Sequence, residues 1–98
     1  MEEAWFVYVL RCGDGSLYTG IAKDVPARVR AHEAGKGAKY TRGRGPLVLC
    51  AKKRCASKGD ALSLELSVKR LSRAEKLRRA GSTPRLVAFA RSLKRERA

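Results

Sequence analysis

Trp5-Phe6-Val7-Tyr8-Val9-Leu10-Arg11, then Cys12-Gly13-Asp14-Gly15-Ser16, then Leu17-Tyr18-Thr19-Gly20-Ile21, is the stretch that decides the fold. The first run is β-branched and aromatic, the middle five residues are dense in turn formers, and the third run resumes the apolar character. Strand, turn and strand in that order predict a β-hairpin. If it closes around residues 13–15, Tyr8 and Tyr18 lie near each other across the strands. Parity alone does not set their facing, because a turn intervenes.

Downstream, helix signals dominate. Asp24 is placed to cap a helix from Val25 to about Ala34, with Pro26 tolerated in its first turn and Gly35 and Gly37 ending it. Leu47–Lys52 is apolar and predicts a third strand. Asp60 is expected to cap a second helix through Leu71. Ser72-Arg73-Ala74-Glu75 has the capping-box pattern of a third, which Gly81 closes. Thr83-Pro84 opens a fourth, where Leu86, Phe89, Ala90 and Leu93 recur at i, i+3, i+4 and i+7. The basic tail, 94–98, is expected to fray. A small sheet covered by helices is the expected architecture.

Ninety-eight residues with 44% apolar content make one domain, 1–98, with no room for a second core. Lys and Arg total 23 against 9 acidic residues, a formal net charge of +14. Such an excess repels itself unless it meets a polyanion, so nucleic acid is the default partner. A membrane partner is not expected, since no apolar run approaches the roughly 20 residues of a span. The opening MEEAWFVYVL is acidic before it is apolar, unlike a secretory signal, and a cytoplasmic location is the expectation. Cys12, Cys50 and Cys55 are odd in number and lack zinc-ligand spacing, so free thiols are expected.

Three further residues suggest chemistry. Arg28 and His32 are four apart and share a helix face. A guanidinium forks onto phosphate oxygens, and an imidazole one turn away can exchange a proton near neutral pH. Glu65 falls within the apolar arc of the second predicted helix, between Ala61 and Leu62, with Leu64, Val68, Leu71 and, on the far side, Leu66. A carboxylate there needs a partner. Lys69 at i+4 is one; a hard divalent cation such as Mg²⁺ is the other. Between Gly35 and Gly45 the chain carries Lys36, Lys39, Tyr40, Arg42 and Arg44, a composition suited to tracking phosphates, with Tyr40 available either to stack on an unpaired base or to pack on the domain.

Taken in order, Phe6-Val7-Tyr8, Tyr18-Thr19-Gly20, Arg28, His32 and a helical Glu65 resemble the GIY-YIG nuclease domain, in the short form of its small stand-alone bacterial members. The resemblance covers nearly the whole chain. It implies an α/β (α+β) fold with a three-stranded antiparallel sheet flanked by helices, and metal-dependent cleavage of phosphodiesters. By position it implies Glu65 as ligand of one Mg²⁺ or Mn²⁺ ion and Arg28 as the phosphate-binding arginine. Tyr8 and Tyr18 would be the motif tyrosines around the attacking water, His32 would stand where relatives hold His or Tyr, and Gly20 would be the motif glycine. Phe6 and Thr19 depart from the motif letters, and Ile21 stands where excision-repair relatives carry Lys.

The activity so implied is a structure-selective, repair-related DNA endonuclease; RNA as substrate and a protein partner stay open, and oligomeric state is not read. Tyr8 is the expected general base, which predicts an alkaline rate optimum. Saturation near pH 6.5 would instead point to His32. The competing reading is a nucleic-acid-binding protein that keeps the nuclease fold without cutting.

Overall fold

Trp5–Arg11 (β1) lies at the centre of the sheet, flanked by Leu17–Ala22 (β2) on one side and Val48–Cys55 (β3) on the other, all antiparallel. Helices Val25–Glu33 (α1), Lys58–Lys69 (α2), Arg73–Ala80 (α3) and Thr83–Arg97 (α4) cover the sheet, and a short 3₁₀ turn occupies Lys39–Thr41. The computed structural model describes residues 4–97.

The period-2 alternation of β1 divides the molecule into two layers. Val7 and Val9 point to one face and pack with Ala51 and Cys55, with Ala61, Leu64 and Val68 of α2, and with Leu86, Phe89 and Ala90 of α4. Tyr8 and Leu10 point to the other face and join Ala22 and Val25, bordered by Phe6, Tyr18, Val29 and Leu47. The α4 periodicity expected from sequence is therefore real, and Leu86 is wholly buried.

The helix caps follow local chemistry. Asp24 accepts the Ala27 amide at 3.0 Å, and Ser72 accepts that of Glu75 at 3.2 Å. Each such cap contributes about 1 kcal/mol. For α2 the expectation is corrected: Ser57, not Asp60, is the cap, accepting the Asp60 amide at 3.1 Å, and the helix ends at Lys69. Asp60 instead sits in the first turn, where its charge suits the helix dipole. The apolar arc of α2 is also narrower than its periodicity suggests, since Leu62 and Leu66 are exposed.

Strand β3 extends past the expected Lys52 to Cys55. Pairing with β1 continues to Trp5↔Cys55, and Lys52 and Arg54 turn outward, so charge does not stop the strand. A bulge between Val9 and Leu10 leaves Cys50 as the extra residue. Helix α4 is assigned through Arg97, while Ala98 lies outside the described residues. Cys12, Cys50 and Cys55 are free thiols.

Candidate active site

The strand register answers the facing question that spacing left open. Tyr8 pairs with Gly20 and Leu10 with Tyr18, so both tyrosines share one face, with ring centroids 6.3 Å apart. Gly20 lies directly beneath the Tyr8 ring. A Cβ at position 20 would stand 2.5 Å from the Tyr8 hydroxyl oxygen and 2.7 Å from Cζ, so only glycine leaves room for the tyrosine.

His32, 2% exposed, reaches this cluster from α1. Its Nε2 is 2.7 Å from the Tyr8 hydroxyl, and its ring lies 5.1 Å from that of Tyr18. The backbone N–H of Ala38 donates to Nδ1 at 3.1 Å, and Thr41 Oγ1 stands 3.0 Å from the same nitrogen. An amide can only donate, so Nδ1 carries a lone pair and the proton of the neutral ring is on Nε2. Nε2–H then donates to the Tyr8 oxygen. Burial, with the Arg28 charge adding, lowers the His32 pKa and keeps the ring neutral. Gly37 makes this cradle sterically feasible, because a Cβ there would stand 2.1 Å from Nδ1.

Tyr8 is pushed up to about 12, first by burial and then by Tyr18; the Arg28 guanidinium opposes this as a nearby donor and charge, and Glu65 adds to the rise. Those couplings bring β1, α1 and α2 into one electrostatic neighbourhood around the phenol. Arg28 is exposed. The Glu65 side chain is 17% exposed, and Lys69 Nζ lies 3.4 Å from its carboxylate. The i+4 partner anticipated for Glu65 is thus present, on a half-exposed lysine able to swing away.

Among the described residues, no three His, Cys, Asp or Glu side chains cluster as a metal cage. One sheltered carboxylate beside a phenol and an arginine fits a hard ion that keeps most of its waters and takes further oxygens from a phosphate. It does not fit zinc, which wants three or four protein ligands.

The basic segment divides into fixed and free parts. Arg44 Nη1 bonds Asp14 at 2.6 Å, and its guanidinium lies 4.4 Å from the Tyr40 ring centre. Asp14 is held down to about 2 by hydrogen bonds from the Ser16 hydroxyl and amide, with Arg44 adding. Gly13 N–H also donates to the Arg44 carbonyl at 2.6 Å, tying the hairpin turn to the segment. Tyr40 stacks on Tyr18 with centroids 5.9 Å apart, so its ring packs on the domain. Lys36, Lys39 and Arg42 are exposed. Sequence reading missed Ala38 and Thr41 as the groups that orient His32; an alanine amide leaves no signature, and only Gly37 hinted at a close approach.

These features define a small α+β domain with an aromatic–imidazole cluster, an arginine and one carboxylate gathered beside the central strand. The chain belongs to the GIY-YIG catalytic domain family, whose model matches residues 4–78. It is similar to a UPF0213 protein of Streptococcus sanguinis, with 52% identity over 79% of this chain and 88% of the relative. A UPF0213 protein of Cupriavidus pinatubonensis is 49% identical over 79% of this chain and 86% of the relative. Among solved structures, that of a protein from E. faecalis, determined by solution NMR, is 32% identical with a TM-score of 0.55, covering 76% of this chain and 80% of the other. Domains of this family are typically endonucleases that use a divalent metal, and nucleic acid is the substrate class the domain implies. No helix among the described residues is long and apolar enough to cross a membrane.

Proposed function

We propose that this protein is a divalent-metal-dependent endonuclease that hydrolyses phosphodiester bonds in DNA, working in the cytoplasm on branched, flapped or damaged strands of the kind met in repair. The observation that carries the reading is the Tyr8 hydroxyl. It is held by a neutral His32 whose tautomer the backbone sets, and it is coupled to Arg28 on one side and Glu65 on the other. Binding alone requires no such arrangement.

In this reading Arg28 holds a non-bridging oxygen of the scissile phosphate with its fork of donors. In its phenolate form, reached by loss of the hydroxyl proton to solvent, the Tyr8 oxygen takes a proton from the attacking water, whose oxygen bonds to phosphorus as the bond to the 3′ oxygen breaks; the 3′ oxygen is protonated from solvent. His32 Nε2–H, donating to the Tyr8 oxygen, steadies the phenolate until it takes that proton. Glu65 would hold the divalent ion, Mg²⁺ or Mn²⁺, which would supply positive charge to the phosphate. Tyr18 walls the cluster, and Lys36, Lys39 and Arg42 are placed to follow the backbone of the strand.

A phenol with a pKa of about 12 is ionised in roughly one molecule in 10⁵ at pH 7. The rate is therefore expected to rise about tenfold per pH unit across the neutral range. His32 is a poor alternative base, because its only lone pair is engaged by the Ala38 amide.

The Lys69–Glu65 pair favours a second reading, a binding module that does not cut, since it partners the carboxylate without a metal. One experiment separates the two. Labelled duplex, single-stranded, flapped and branched DNA, and RNA, are incubated with Mg²⁺ or Mn²⁺ and either wild type or Glu65→Gln. The nuclease reading expects metal-dependent cutting by wild type that falls at least 100-fold in the variant. Tight binding by both proteins with cutting by neither establishes the binding module.

A further inference from the structure

Behind the imidazole of His32 the same side of the molecule holds a cavity of about 450 Å³, between the end of α1 and the segment that leads into β3. That size falls within the roughly 300–1,000 Å³ of small-ligand sites. The hollow lined by Lys53, Leu64 and Leu93 under α4, by contrast, holds only about 60 Å³.

The lining suits one kind of ligand. Pro46 and Leu47 supply apolar surface, Arg42 a flat cation, and Glu33 a carboxylate. Gly35, Gly43 and Gly45 also line it, and a Cβ at any of the three would meet nothing within 4 Å, so the walls there are bare backbone facing open space. A planar heterocycle can lie against such walls, present its π face to a guanidinium and offer an exocyclic amine to a carboxylate. Tyr40, the aromatic that sequence suggested for this role, is packed against Tyr18 beneath Arg44. His32 and Thr41 line the cavity as well, so a single imidazole separates it from the Tyr8 hydroxyl.

We propose that this cavity receives one unpaired nucleobase of the bound strand, turned out of the stack beside the phosphate at Tyr8. The proposal rests on the nuclease reading for which phosphate is cut, and it deepens that reading by naming unpaired strands as the preferred substrate. A base inside a duplex would have to be extruded first, at a cost that single strands, flaps and mismatches largely avoid. Glu33 as acceptor further favours cytosine, adenine or guanine over thymine or uracil, which lack the amine.

The test steps one abasic site along a fluorescent single strand. Binding is measured by anisotropy with the full chain in chelator, and cutting separately with Mg²⁺. One position is expected to lose about tenfold in affinity when its base is removed, in the range known for losing one stacked base, while its neighbours lose less than twofold. Gly45→Leu, which fills the cavity from its wall, is expected to bind the intact strand about tenfold more weakly and to erase the positional effect, with melting checked alongside. Should that variant not fold, Glu33→Leu decides: with the acceptor gone, its preference for an amine-bearing base at the sensitive position should collapse. A flat abasic scan overturns the proposal, as does a positional effect that survives in folded Gly45→Leu or an unchanged base preference in Glu33→Leu. A flat scan by a protein that still cuts leaves the nuclease reading standing. A clear positional effect in a protein that cuts nothing supports the cavity and removes the nuclease.

Discussion

The two faces of β1 are made from alternate residues of one strand, yet they are built on different terms. Val7 and Val9 enter a layer of apolar side chains beneath α2 and α4, where stability comes from area removed from water. Tyr8 faces a layer that also buries an imidazole, and there order comes from directed hydrogen bonds running from Ala38 through His32 to Tyr8. The first layer tolerates volume-conserving exchange. The second has a single donor–acceptor sequence, and reversing any link leaves a buried polar group without a partner. Glu65 connects them, since it sits on a helix of the apolar layer but acts on the phenol of the polar one.

Tyr8→Phe should separate the layers most sharply. Cleavage is expected to fall at least 100-fold, while the stability read by urea denaturation falls by only about 1–3 kcal/mol for the orphaned His32 N–H. Leu86→Ala should do the reverse. A cavity beneath α4 is expected to cost about 2–5 kcal/mol and lower Tm by more than about 10 °C, with the rate per folded molecule unchanged well below the melt. If Leu86→Ala abolished cutting at low temperature, the layers would not be independent.

Gly37→Ala probes the cradle itself. Its Cβ would collide with Nδ1, so about 1–3 kcal/mol of stability and most of the activity should be lost together, the first read by denaturation and the second by cleavage. Acidification acts on the same contact. The His32 pKa is lowered in the fold, so its contribution to stability is present above the unfolded value of about 6.5 and is lost as pH falls through the folded one. The urea midpoint should drop between pH 7.5 and 5.5, and His32→Gln should flatten that drop.

The smallest expected effect favours the variant. Thr19 lies on the aliphatic side of β2 with its buried Oγ1 unpartnered among the described residues. Thr19→Val keeps the shape, removes the orphan and should add about 1 kcal/mol of stability without changing the rate.

Hairpin, helix order and the Ser72 cap were legible because each depends on a local pattern: alternation, turn formers, a hydroxyl three residues before a carboxylate. Boundaries set by tertiary pairing were not. β3 runs to Cys55 because β1 offers partners as far as Trp5, and no property of Lys52 or Arg54 announces that. In the candidate site, Tyr8, His32 and Glu65 were nameable as residue types with chemistry. The direction of the proton between Tyr8 and His32 was not, because it is decided by the main chain of Ala38. Arg44 read as a free phosphate contact and Tyr40 as open between a base and the domain until Asp14 and Tyr18, distant in sequence, were seen to hold them.

The glycine under the Tyr8 ring carries a genetic consequence. Positions 8 and 20 share one volume, so a lesion that adds even a methyl group at 20 can be suppressed in place only by a shorter residue at 8. That suppressor restores the packing and deletes the phenol. A screen for folding and a screen for cutting would therefore return different revertants of Gly20→Ala, with true reversion the only class common to both.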